Sequence, residues 1–283
     1  MTNQYENHIP PEGINTSKES PFQELIILIG GIALFIAVII ACLHFLILSI
    51  APHIPYEYES SIADYVVDHI TDDNPSTSDT AKQTYLQTLA DELSAHMEHP
   101  SDMPIKVHYS NKDTVNAFAT LGGHVFMYKG LIDKLPNENA LSMVLAHEIA
   151  HVAHRHPIIS MGQGLTLAIA VSAISMVSSD EIASSVMGFV NLNSMHFSRE
   201  QEHQSDESGL QAVAKKYGHT QGADALFKVF MEVEEERGDS GYEFLSTHPL
   251  SNKRLNNIAS WSNEHNWPTV GQITTLPSVI TAP

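Results

Sequence analysis

Cysteine is almost missing: Cys42 is the single one among 283 residues, so an intrachain disulfide is excluded and the cysteine count does not report the redox compartment. Basic residues are scarce. Lys and Arg number 14 against 33 Asp and Glu, giving a formal net charge of −19. That balance argues against nucleic acid, which needs basic clusters, and provides no polybasic patch for anionic lipid. The acidity reads as solubility. The first arginine is Arg155, so the N-terminus lacks the Arg-rich pattern of a mitochondrial transit peptide. Residues 1–24 also lack apolar periodicity and are expected to be a disordered polar tail.

Apolar content is ample, at 43%. Leu25 through Ala51 is almost continuously apolar, broken by His44 and Ser49. A membrane span needs about 20 apolar residues, and a cleaved signal peptide has an apolar region of about 7–15, so the run is expected to be a transmembrane anchor over 25–51. Lys18 and the amino terminus precede it, and the next basic residue is Lys82. The positive-inside bias then favours a cytoplasmic N-terminus and an extracytoplasmic C-terminal part.

Pro52 and Pro55 end the span, and residues 61–70 and 80–97 carry helical spacing. Strand patterns follow at 105–109, 115–119 and 124–128, with Gly122-Gly123 as the turn between the last two. This unit is either an ordinary meander or an edge to which an extended peptide adds as a strand. In the second reading, Gly122, Gly123, His124, Val125 and Phe126 would bind substrate.

The sequence turns on Ala146-His147-Glu148-Ile149-Ala150-His151. Pro136-Asn137-Glu138 opens a helix expected over 136–156, and Leu141, Val144, Leu145, Ile149 and Val152 form its apolar stripe. His147 and His151 stand four apart, on one helical face, where they can grip one metal ion. Glu148 then stands beside the open side of that ion, as the base for an activated water. About 0.07 chance matches to this pattern are expected in this chain, so the signal is good but not sufficient alone. His154 is three residues from His151, which leaves a slipped ligand set open; it and His156 otherwise read as helix-end histidines. Residues 158–177 and 182–190 look like a helical hairpin, packed or lying at the membrane interface.

A catalytic zinc takes three protein ligands and leaves a place for water. On a helix running from Ser198 to Tyr217, Glu202 and Asp206 share a face. Glu202 can ligate, and Asp206 can accept the outer N–H of a ligating histidine. The same spacing also fits a solvated charged helix. His203 points elsewhere and reads as surface.

Four ordered pieces of the chain resemble a known family. They are Asn116-Ala117-Phe118-Ala119 with Gly122-Gly123-His124-Val125-Phe126; His147 through His156; Ser198-Arg199-Glu200-Gln201-Glu202 followed by Asp206; and Ser246-Thr247-His248-Pro249 followed by Arg254. Over residues 80–260 the chain resembles zinc metallopeptidase family M forty-eight, which includes HtpX, BepA and the CAAX prenyl proteases. The resemblance implies Glu202 as third zinc ligand, Glu148 as general base and an active-site role for His248. His248 would donate to the oxyanion or occupy the open metal position in a resting state, and Arg254 would hold its loop. Gln204-Ser205 departs from the Glu-Ala often found before the acid at 206, and the single anchor departs from the multi-span members.

The expected architecture is α+β and predominantly helical: a zincin-like metallopeptidase domain with a small β-sheet over 52–265, preceded by one transmembrane helix and followed by a flexible tail over 266–283. The expected activity is membrane-anchored, zinc-dependent endopeptidase, with one Zn2+ per chain. Its substrates would be polypeptides, unfolded or misassembled envelope proteins, met from the inner membrane by a periplasmic domain. The rival reading is a non-catalytic anchored chaperone or assembly factor with a structural zinc site.

Overall fold

The computed structural model describes residues 20–70, 76–98, 103–175, 196–237, 243–249 and 251–282. Its contacts divide the chain into two units, residues 1–43 and 44–283. The first described helix, α1 (Pro21–Ile50), opens with a proline, which the first turn tolerates because its N–H would be unpaired there anyway. Within 21–53 the most apolar 18-residue window has mean hydropathy 3.2, with none of it buried. The helix is therefore long and apolar enough to cross a membrane, as the run over 25–51 suggests. A single 3-10 turn over Ala51–His53 carries Pro52 and ends it.

In the second unit, α2 (Tyr56–Ile70) and α3 (Thr77–Ser94) precede a three-stranded sheet. A capping box between Ser76 and Asp79 starts α3, and Leu86, Leu89, Ala90 and Leu93 form its buried face. The strands are β1 (Lys106–Ser110), β2 (Ala117–Ala119) and β3 (His124–Tyr128). Their order is β1-β3-β2, with β1 parallel and β2 antiparallel to β3. The turn between β2 and β3 needs glycine: Gly122 has φ 71°, and a Cβ there would lie 2.6 Å from Ala63 Cβ.

This order corrects the expected substrate edge. His124, Val125 and Phe126 belong to the central strand; β1 pairs along 124–128 and β2 along 125–127, so β3 has no free edge for a peptide. The outer edge of β1 is covered by a side chain. Gln87 Nε2 donates to Ile105 O (2.9 Å) and Gln87 Oε1 accepts from Val107 N (2.8 Å), mimicking a neighbouring strand. Among the described residues no strand pairs with the far side of β2.

After a short α4 (Lys129–Ile132), the buried helix α5 (Glu138–Ala153) begins at Asn137, whose side chain accepts from Ala140 N (2.9 Å). The helix expected to reach residue 156 breaks earlier. Arg155 takes φ 62°, and a new helix, α6 (His156–Ser175), starts behind it. Arg155 is held there by Ile54 O (2.6 Å) and the buried Glu59 carboxylate (2.9 Å). Glu59 also accepts from Gly122 N (3.2 Å), and Tyr56 OH donates to Gly122 O (2.6 Å). Burial pushes the Glu59 carboxyl up, against the pull of Arg155. The expected second arm over 182–190 lies outside the described residues.

A second capping box, Ser198 with Gln201, starts α7 (Arg199–Tyr217), and Gly218 in the left-handed conformation ends it. Then come α8 (Ala225–Arg237), α9 (Glu243–Thr247), α10 (Asn252–Glu264) and α11 (Ser278–Thr281). The expected flexible tail is laced to the domain. Glu138 N donates to Thr274 O (2.9 Å), Thr274 N to Asn139 Oδ1 (2.9 Å) and Thr220 N to Pro268 O (2.8 Å). Ile280 is buried in the main core. Pro- and Thr-rich composition signals irregular structure; backbone groups paired by the rest of the fold keep such a segment in one conformation.

Between β1 and β3 the rings of His108 and His124 stack, with His108 Nε2 and His124 Nδ1 2.7 Å apart. Burial lowers both from 6.5 to about 4. The unfolded chain therefore binds protons below pH 6.5 that the fold refuses until about pH 4. Stability is expected to fall as pH drops through that window. In urea denaturation of metal-free protein at pH 7, 6, 5 and 4, His108→Gln should flatten the loss; an unchanged slope would contradict this account.

Candidate metal centre

Two helices make the site. Along α5, His147 and His151 stand one turn apart, with their Nε2 atoms 3.0 Å from each other. Helix α7 comes close to α5 because residue 209 is glycine: a Cβ there would lie 3.1 Å from His147 N and 3.3 Å from Ala146 C. That approach brings Glu202 to both rings. Its Oε2 is 3.5 Å from His147 Nε2 and its Oε1 3.5 Å from His151 Nε2. One turn on, Asp206 Oδ1 lies 3.0 Å from His147 Nδ1.

The loop after α9 closes the group. His248 Nδ1 is 2.9 Å from Glu202 Oε1 and 3.3 Å from His147 Nε2, and His248 Nε2 is 3.5 Å from Glu148 Oε1. Arg254 at the start of α10 grips Asp206 with two parallel hydrogen bonds, Nε to Oδ2 (2.7 Å) and Nη2 to Oδ1 (2.8 Å). Its Nη1 reaches Glu202 Oε2 (2.8 Å) and donates to Pro249 O (3.1 Å), pinning the residue after His248.

All of these side chains are buried. Burial alone would raise the Glu202 carboxyl, but His248, His151 and His147 outweigh it and hold Glu202 well below the usual range. For Asp206 burial again raises, and the Arg254 hydrogen bonds reverse the outcome. Burial drives His151 far down, which keeps its imidazole neutral, the form that ligates. Glu148 is fully buried, and neither carboxylate oxygen has a hydrogen-bond partner among the described residues. Converging imidazole nitrogens and a carboxylate, all desolvated, are a group that could hold a metal ion. One ligand atom each from His147, His151, Glu202 and His248 lies within 4.8 Å of the others.

The candidates named from sequence thus divide. His147, Glu148, His151, Glu202, Asp206, His248 and Arg254 meet at one centre; Gly122 to Phe126 belong to the sheet and its turn, where His124 faces His108 and lies 3.9 Å from Asp64. The slipped ligand set is not adopted, because His154 Nε2 turns to Ser208 Oγ (2.8 Å). His203 packs edge-on against Trp261. Two partners were missed. His156 Nδ1 is 3.0 Å from His151 Nδ1, and His156 Nε2 is 3.1 Å from Gln204 Oε1. Five residues along a straight helix is the wrong face; the left-handed Arg155 swings His156 back, and no periodicity in the sequence signals that.

A two-helix centre with a His pair from one helix and a Glu from the other, shielded by a loop, has the donor set of a metalloprotein. Comparison with known proteins agrees: residues 80–262 match the model of Peptidase family M48, so the chain belongs to that family. Among curated proteins it is 31% identical over 166 residues to "Mitochondrial metalloendopeptidase OMA1" of Schizosaccharomyces pombe, covering 58% of this chain and 48% of that protein. It is 27% identical over 219 residues to "Beta-barrel assembly-enhancing protease" of Yersinia pestis, covering 74% and 44%. It is 30% identical over 148 residues to "Metalloprotease YcaL" of Escherichia coli, covering 51% and 57%. The chain spans about half the length of these relatives.

Arg254 offsets two buried carboxylates, so Arg254→Met is expected to destabilise metal-free protein by about 3–5 kcal/mol. Equilibrium denaturation at pH 7 measures it; a loss under about 1 kcal/mol would mean that the carboxylates find other compensation.

Proposed function

We propose that this chain is a membrane-anchored zinc endopeptidase. The observation that carries the reading is the convergence of His147, His151 and Glu202 beside a buried Glu148 whose carboxylate has no hydrogen-bond partner among the described residues. Two neutral imidazoles and one carboxylate are the donor set that zinc takes in hydrolases of the HExxH type with a distal glutamate, at one ion per chain. His147, His151 and Glu202 would hold it. Bound zinc would supply Lewis acidity and a water of low pKa.

The chain's own groups do the rest. Glu148 takes the proton of the attacking water on a carboxylate oxygen and delivers it to the leaving amine nitrogen. His248 Nε2, 3.5 Å from Glu148 Oε1, is positioned to donate to the oxyanion. Burial opposes protonation of His248, but the Glu202 and Glu148 carboxylates win and raise it, favouring the donor form. Asp206 orients His147 through Nδ1, and Arg254 holds Asp206, Glu202 and the His248 loop together.

A substrate strand adds at β2, not β3. The outer edge of β1 is capped by Gln87, and β2 is flanked by Asn116 and Thr120. Both are buried, and Asn116 Oδ1, Asn116 Nδ2 and Thr120 Oγ1 have no hydrogen-bond partner among the described residues, a cost that a peptide backbone would relieve. The substrates are unfolded or misassembled envelope polypeptides. The supports are the extended-strand mode of binding, which folded proteins do not offer, and the printed names of the beta-barrel assembly-enhancing relatives. The anchor lies in the inner membrane with the catalytic unit outside the cytoplasm. Lys18 before the span and the absence of a basic residue between it and Lys82 support that orientation.

One observation favours a second reading, a non-catalytic anchored assembly factor with structural zinc: His248 Nδ1 lies among the ligand atoms and would close the fourth position. The two readings separate in purified protein. Glu148→Gln should keep the wild-type zinc content and lose casein cleavage by a factor of about 100 or more, while Glu202→Ala loses the metal. Wild type with zinc but no cleavage of any unfolded substrate, unchanged in His248→Ala, would favour the structural site. A phosphatase reporter fused after residue 60 should be active outside the cytoplasm; activity of a cytoplasmic reporter at that point would reverse the orientation.

A further inference from the structure

We propose that His156 and Gln204 form a neutral hydrogen-bond relay that fixes His151 in the tautomer able to ligate metal, as Asp206 does for His147. The inference rests on the ligand set proposed above and adds two positioning residues to it.

The argument is proton bookkeeping along one line of atoms. A neutral imidazole carries one N–H and one bare nitrogen. His151 points Nε2 at His147 Nε2 (3.0 Å) and Glu202 Oε1 (3.5 Å), so to serve as ligand that nitrogen must be bare and the proton must sit on Nδ1. His151 Nδ1 lies 3.0 Å from His156 Nδ1. Two N–H groups cannot face each other there, so His156 Nδ1 is bare and accepts. The proton of His156 is then on Nε2, where it donates to Gln204 Oε1 (3.1 Å). Ser205 Oγ, 3.3 Å from His156 Nδ1, can at most share that lone pair as a longer, second donor. Donors and acceptors alternate without conflict in this direction. In the reverse direction the proton of His151 moves to Nε2, and the ligand is lost.

Charge explains why the second histidine uses a neutral partner. Glu148, Glu202 and Asp206 already place three carboxylates in a buried centre that holds Arg254 as its guanidinium. A further buried carboxylate behind His151 would lack a counter-charge. An imidazole backed by an amide at the domain surface orients the ligand at no cost in net charge, and the Arg155 kink is what brings it into reach.

The test is zinc affinity of the full-length protein in detergent, measured by chelator competition. His156→Leu is expected to weaken binding by about 10–100-fold, the usual effect of losing a partner behind a ligand. His156→Asn, whose Oδ1 replaces the accepting Nδ1, should recover most of that loss. Gln204 is exposed, so its variants leave the core intact: Gln204→Leu should weaken zinc by about 3–10-fold, and Gln204→Glu should not. A packing role for His156 would instead give Asn and Leu the same affinity. That result, or wild-type affinity in His156→Leu, overturns the relay. If His156→Leu does not fold, equal affinities of Gln204→Leu and wild type overturn it. Wild type that holds no zinc, or His151→Ala that binds as tightly as wild type, overturns the ligand assignment and the relay with it.

Discussion

Three buried carboxylates, two of them held by one guanidinium, are the constraint on which the domain depends. Glu148, Glu202 and Asp206 are nearly inaccessible to water, and Arg254 offsets the latter two directly. Burying ionised groups is tolerable only where charges pair and lone pairs are satisfied. Several unrelated features serve that need. Gly209 lets α7 come close enough to α5, the Ser251 cap starts α10 with Arg254 in its first turn, and Pro249 O takes the remaining guanidinium contact. What lacks a hydrogen-bond partner among the described residues is Glu148, the group proposed to carry the proton, which has His248 Nε2 3.5 Å away.

The membrane-proximal segment is tied to the same centre through backbone geometry. Arg155 follows the second histidine by four residues and bonds to Ile54 O and Glu59, and Glu59 and Tyr56 grip the glycine turn between β2 and β3. One left-handed residue thus links the stretch after α1, the turn of the sheet and the end of the metal helix. It also returns His156 to the back of His151. The linkage accounts for a kink in the middle of an otherwise apolar helical stretch, since a non-glycine residue at positive φ persists only where its surroundings hold it there.

The chemistry of the centre was legible because it is local. Residues four apart on a helix share a face, so His147 with His151 and Glu202 with Asp206 read as pairs from the sequence. Joining the two pairs was not local; the order of four motifs supported it, and Gly209 made it possible. The sheet was legible in its strands but not in its order. Alternation marks β3 as a strand and is silent on its neighbours; β1 pairs with it in parallel and β2 antiparallel, which makes β3 central and leaves β2 at an edge of the described sheet. Composition marks the tail as irregular because it reports what a segment does alone, whereas residues 268–274 are held by partners at 138, 139, 219, 220 and 221.

The sequence by itself determined an apolar helix long enough to span a membrane, a buried helix with two histidines and a glutamate on it, and a second helix able to offer a third ligand. Each follows from hydropathy and helical period, which act within some twenty residues. Only the tertiary structure decided that His248 joins the centre, that His156 stands behind His151, and that β3 is the central strand. Those facts depend on chain reversals, a positive φ at Arg155 and the pairing of strands across intervening segments, and short-range periodicity carries no record of which distant surfaces will meet.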